Sequence, residues 1–365
     1  DASVLAALSI APAFSFSAEW SSTSTLLTLQ PGAPLEPRTT YQIAVAASAL
    51  SAAGEPLEFA AAASWKTARA ETPLPPLPAP FPPLVRANTP ILIDGDGGEW
   101  SAPGWDAMAR DSGAITENSV FVWKDALDDD TGPGTYVYPT NTAFTGHDAD
   151  IEEFRVALGA DSLFFYFRPA AVNPEAPFFT PYFGVAMDFG EGGRTSALGY
   201  DQSLGAPGIT ELRARPDAAP EYELVFTGPR GATLLGPEGG VLAEIPAAAY
   251  NPQTGAVEIA VGRALLGLPS PLRGQAMNLV VYAALETYGG VREIEPAAGT
   301  WTPGGGIAGM NDPDVFDLAG APLALQQADL ADFDADYQTR VLHSLIALRL
   351  WDEPPPAAST LLIIR

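Results

Sequence analysis

Residues 149–167, ADIEEFRVALGADSLFFYF, decide the fold class. Two runs rich in β-branched and aromatic residues, Ile151–Leu158 and Leu163–Arg168, are separated by a short break, and each reads as a strand. Working outward, Ser119–Trp123, Tyr182–Phe189, Tyr222–Phe226, Val257–Val261, Met277–Leu285 and Thr339–Leu350 read the same way. LALQQADLA predicts one short helix over Leu323–Ala331. At least eight strands with long loops predict a two-sheet, jelly-roll-like β-sandwich over residues 84–352.

Upstream, residues 1–69 carry shorter alternating runs. Thr25–Leu29 is one; Thr39–Val45 is another, with Tyr41, Ile43 and Val45 on one face. Residues 70–83, AETPLPPLPAPFPP, form a proline-rich linker expected to act as a semi-rigid polyproline spacer. A second proline spacer, residues 353–358, precedes a terminal strand over residues 359–365. The chain as a whole reads as all-β.

Composition excludes several function classes. The 365 residues are 47% apolar, which excludes a disordered chain, and 36 prolines with 35 glycines suit many strands joined by turns. A net charge of −26 repels phosphate backbones, so nucleic acid is excluded as a partner. With no cysteine there is no disulfide framework and no thiolate chemistry. No apolar run reaches the roughly 20 residues that span a bilayer. The chain begins at Asp1 rather than Met, as expected of a processed or cropped chain.

The expectation is that the protein is not an enzyme. Only two histidines occur, and no G-x-S-x-G elbow. His343 sits in the alternating run RVLHSLIALRL as a strand residue, and His147 lies in the loop TGHDAD. Calcium is the expected ion, because it takes six to eight oxygen ligands converging on a tight loop. Asp94, Asp96 and Glu99 stand on one glycine-rich turn; Asp125 with Asp128, Asp129 and Asp130 stands on another. Asp312 and Asp314 are a third, weaker candidate; turn-forming Asp and Gly are the competing explanation throughout. Tyr136, Tyr138, Trp123 and Trp301 lie in or beside the same loops and are candidates for stacking on sugar rings.

Two resemblances add to this reading. SVLAALSIAP, LTLQPGAPLEPRTTYQIAV, LSAAGEPL and SWKT resemble the bacterial Ig-like domains of large surface proteins, with the family's first strand missing before Ser3. The segments ILIDGDGGEW (91–100), DDDTGPGTYVYPTNTAF (128–144), ADIEEFRVALGADSLFFYF, GTWTPGGG (299–306) and NDPDVFDL (311–318) resemble the C-terminal domain of glucodextranase. That domain is related to DOMON-like and family-9 carbohydrate-binding sandwiches. The resemblance implies an extracellular or cell-surface accessory role that engages glycan or cell-wall polysaccharide.

The terminal segment matches the strand the Ig-like part lacks. Thr360, Leu362 and Ile364 alternate with Leu361 and Ile363, and burying two or three such aliphatics is worth on the order of 5 kcal/mol. The leading expectation is therefore a structural protein: copies joined head-to-tail, each donating its terminal strand to the Ig-like domain of the next, as a filament or surface layer. The alternative is a non-catalytic carbohydrate- or cell-wall-binding module of a larger secreted protein.

Overall fold

A computed structural model describes the chain except residues 1, 22–25, 37–38, 52–53, 57, 67–75, 101–106, 177–180, 191, 229–230, 309–311, 332–343 and 356–365. The expected donor strand and His343 therefore lie outside the described residues. The chain divides into two compact units, Asp1–Pro75 and Pro76–Arg365. Among the described residues no helix is long and apolar enough to cross a membrane.

The small unit begins with helix α1 (Ala2–Ala7), where alanine and leucine favour helix, and continues into strand. Strands β1 (Leu8–Ala11), β4 (Thr40–Val45) and β5 (Ala61–Lys66) form one antiparallel sheet; β2 (Phe16–Trp20) and β3 (Leu27–Pro31) form a ribbon. Its core is slight: Tyr41 and Ala49 are its buried apolar residues among those described.

The large unit is a β-sandwich. One sheet has the order β16 (Ala248–Tyr250), β17 (Val257–Gly262), β9 (Ser162–Pro169), β8 (Ile151–Leu158), β7 (Val120–Lys124), β6 (Ser112–Ile115). The other runs β15 (Val241–Ile245), β14 (Ala232–Leu235), β13 (Tyr222–Thr227), β10 (Pro181–Asp188), β18 (Arg273–Thr287). The free edge of β18 is lined in turn by β21 (Ile346–Trp351), β20 (Asp317–Ala319) and β19 (Gly290–Val291). A two-strand ribbon, β11 (Tyr200–Asp201) with β12 (Ala206–Pro207), lies off the sheets, and α2 (Leu323–Leu330) forms where a helix was expected.

Strand alternation builds the core. Phe121 and Trp123 of β7, Phe154 and Val156 of β8, and Phe165 and Phe167 of β9 point inward to meet Phe183, Val185 and Met187 of β10 and Leu279 and Val281 of β18. Phe167 stacks on Phe183 across the two sheets at 4.8 Å. The outward rows are buried as well. Val120, Val122 and Tyr166 pack with Trp100 on one side; Tyr182, Val280 and Tyr282 pack with Leu198 and Leu212 on the other. Gly184 faces Tyr282 across β10 and β18, and any Cβ there would stand 2.0 Å from the tyrosine ring.

The described part of the proline-rich linker begins at Pro76. From Pro76 it belongs to the large unit: Leu77 packs in its core, and the Phe81 and Leu84 amides donate to Ala347 and Arg349 of β21 at 2.9 Å. Apolar side chains between the prolines anchor this part of the semi-rigid spacer that composition suggests.

Candidate functional site

Apart from the loop over 91–100, the motif-bearing segments meet: Val137 pairs with Gly304, Tyr136 bonds to Pro313 and the Ile151 amide donates to Asp317. Asp125 continues the inward row of β7 after Phe121 and Trp123, one step past the strand. Asp317 pairs with Ala283, and Ala319 with Val281, so Asp317 lies on the inward face of the opposite sheet. Both carboxylates thus point into the rim of the core. Asp150 sits just before β8, and the Asp128 amide donates to it at 2.8 Å. Asp129 lies between these groups.

Oxygens of Asp129, Asp150 and Asp317 lie within 4.8 Å of one another, as do those of Asp111, Asp125 and Asp129. Burial, then mutual repulsion, raises these acids. The Asp129 carboxyl is pushed up to about 6, and that of Asp150 up to about 7 even though the Asp128 amide opposes the shift. Asp125 and Asp317 are held well above the usual carboxylate range, again first by burial and then by each other's neighbours. Asp128 is exposed; its carboxylate stands 3.6 Å from His147, which is also 3.3 Å from Asp130 and 3.8 Å from Asp150.

The aromatic candidates divide. Trp123 is buried with its indole N–H donating to Asp125 at 3.1 Å. Tyr136 is buried, its hydroxyl donating to the Pro313 carbonyl at 2.9 Å. The Tyr138 hydroxyl donates to Asp130 and accepts from the Ala149 amide, while its ring packs on Phe316 at 4.8 Å. Trp123 and Tyr136 serve the interior and offer no face to a sugar, a correction to the sequence expectation; Tyr138 is partly buried, with its hydroxyl turned inward. The cause is that both faces of the sandwich are covered, so alternation does not mark a solvent side.

Trp301 is different. It is 44% exposed at the tip of a hairpin that pairs Val137 with Gly304 and lays the Thr140 and Asn141 amides on the Gly299 and Thr300 carbonyls. The turn needs its glycines, since a Cβ at Gly305 would meet the Thr135 carbonyl oxygen at 2.0 Å, at a φ of 96°. Asp314 and Asp312 accept from the Ile294 and Ile307 amides and so tie the ends of this hairpin. Phe144 braces the indole edge-on at 6.2 Å. Arg292 lies over Phe144 at 5.3 Å and donates to the Trp301 carbonyl at 2.8 Å. Val137 and Ile307 are exposed beside it.

The first predicted acidic loop is elsewhere, on the outer face of β17. Oxygens of Asp94, Glu99 and Glu258 come within 4.8 Å, but each already has amide partners. Glu258 accepts from Asp94, Gly95, Gly97 and Trp100; Glu99 accepts from Leu92; Asp94 accepts from Asp96. Asp111, Glu258 and Asp317 are not picked out from sequence, and Asp150 is visible there only as a neighbour of His147 in the loop TGHDAD. Asp150 and Asp317 lie within quoted motifs, and Asp317 is identified only by its register with β18.

Comparison with curated proteins finds no match. Comparison with protein families matches residues 120–344, more than half of the chain, to the family described as the C-terminal binding module, SLH-like, of glucodextranase. The matched span runs from β7 to the approach to β21 and contains Asp125, Asp129, Asp150 and Asp317 of the acid-lined rim and the Trp301 hairpin. The chain belongs to the family of the SLH-like C-terminal binding module of glucodextranase.

Proposed function

We propose that the protein is a non-catalytic carbohydrate-binding module acting at the cell surface or outside the cell, with its glycan contact centred on Trp301. The observation that carries this reading is the half-exposed indole on a pinned hairpin, inside a span that matches a binding-module family. A large rigid ring held by Phe144 and Arg292 loses little entropy when a sugar face stacks on it. Trp301→Ala is expected to cut retention on insoluble α-glucan at least about tenfold while leaving the melting temperature unchanged. Retention equal to the parent protein would overturn the assignment of this face.

A second reading attaches to the small unit. Leu5, Phe16, Leu26, Leu50 and Phe59 are exposed there beside a core of two buried apolar residues among those described, which leaves room for an added strand. The candidate is residues 359–365 of a neighbouring copy, inserted head-to-tail. Deleting residues 358–365 should then abolish fibres in negative-stain micrographs of the native protein; fibres that persist would exclude this donor.

A further inference from the structure

We propose that the rim aspartates form a calcium-type divalent cation site, held by Asp129, Asp150 and Asp317 and extended on its other side by Asp125 and Asp111. The acidic cluster is supported by a separate fact. Both carboxylate oxygens of Asp129, Oδ2 of Asp125 and Oδ1 of Asp150 are buried with no hydrogen-bond partner among the described residues. Asp125, Asp150 and Asp317 are 0% exposed and Asp129 4%. Native interiors rarely leave such acceptors unpaired, and four together are costly unless a cation or protons neutralise them. Among the described residues the arginine ion pairs lie elsewhere, on Glu152, Glu153, Glu223, Asp217 and Asp352.

Geometry and donor chemistry select the ion. Calcium–oxygen bonds of about 2.3–2.6 Å put two ligands of one ion no more than about 5 Å apart. The 4.8 Å limit met by each triad falls within that reach. Neither triad holds nitrogen or sulfur, which favours a hard cation, and a site with this many carboxylates and little water suits calcium over magnesium. The neighbouring group of Asp128, His147 and Asp150 is half open to solvent. Both oxygens of Asp317 accept amides, from Ile151 and Leu318, as those of Glu258 accept donors near Asp94; the rim differs in its four buried, unpaired acceptor oxygens, and the Asp94 group has none among the described residues.

The placement gives the ion a task. Asp317 comes from one sheet, while Asp125 and Asp150 bracket the loop that joins β7 to β8 on the other. A bound cation clamps the two sheets at this end and fixes residues 125–150, whose backbone carries the Trp301 hairpin. Only this consequence rests on the glycan reading; cation binding itself does not.

The test uses the full chain stripped with chelator and titrated with calcium chloride, without glycan. Heat of binding is expected, together with a melting temperature raised by about 5–10 °C when calcium exceeds its dissociation constant a hundredfold. Asp129→Asn and Asp317→Asn keep the shape and relieve repulsion, so the fold should persist while calcium affinity falls at least tenfold. No heat and no melting shift at millimolar calcium would overturn the site, as would unchanged affinity in both variants. Trp301→Ala should keep the full calcium response, which separates failure of the glycan face from failure of the cation site.

Discussion

Glu258→Gln should lower the unfolding free energy by about 3–5 kcal/mol and free the loop over residues 92–100. Glu258 points outward from β17 between inward Val257 and Ile259, yet it is 0% exposed. Its Oε2 accepts from the Asp94 and Gly95 amides at 2.9 and 2.7 Å; Oε1 accepts from the Gly97 amide at 2.9 Å and the Trp100 indole at 3.0 Å. Gly95 and Gly97, at φ of 83° and 65°, curl the backbone so that its amides converge on one carboxylate. An ionised carboxylate accepts at both ends, whereas a glutamine amide must turn its NH₂ against two of those four donors. Each buried group left unpaired costs about 1–3 kcal/mol, and the lost charge weakens the remaining bonds. Chemical denaturation measures the stability, and fluorescence of the buried Trp100 reports the loop. A change under 0.5 kcal/mol would show that the four bonds do not hold the loop.

The same loop shows how far the sequence could be read. DGDGGE was visible as a glycine-rich acidic turn, but the residue that organises it lies some 160 positions later, in a strand whose alternation gives Glu258 a solvent-facing place. The strands themselves were legible because β-branched and aromatic runs mark them: Ile151–Leu158 is a strand with those bounds. Short partners such as β14, β16 and β20 escaped, since three or four residues carry too little pattern. The aromatic platform was misread for a related reason. Tyr136 and Trp123 are aromatic like Trp301, and only the three-dimensional cover over both sheet faces separates buried rings from the one that is presented. The acid rim was half visible, as Asp125 and Asp128–Asp130. Asp317 joins it through strand register and Asp150 through its place just before β8, and no local spacing joins them to Asp129.

Asp352→Ala should destabilise the large unit by about 3–5 kcal/mol, because it strands a buried cation. Asp352 follows β21, and its side chain is 4% exposed. Its Oδ1 accepts from Arg263 Nη1 at 2.7 Å and Arg86 Nε at 3.1 Å; its Oδ2 accepts from Arg263 Nη2 at 3.2 Å and the Leu272 amide at 2.7 Å. Arg263 also donates to the carbonyls of Ala160 and Pro269, so one ion pair joins four separate stretches of chain, at Arg86, Ala160, residues 263–272 and Asp352. Burial alone would raise the Asp352 carboxyl. The Arg263 hydrogen bonds, the Leu272 amide and Arg86 overcome that and hold it down to about 2. The unfolded chain titrates near 3.9, so the folded state favours the charged form. The resulting stabilisation, about 2–3 kcal/mol, is full above roughly pH 5 and is lost as pH falls through 4 towards 2. Asp352→Asn, which keeps the shape without the charge, should therefore trail the parent protein at pH 6 and converge with it near pH 2. A gap that stays constant across that range would mean the carboxylate is no more ionised in the fold than in the unfolded chain, and that its contribution is packing alone.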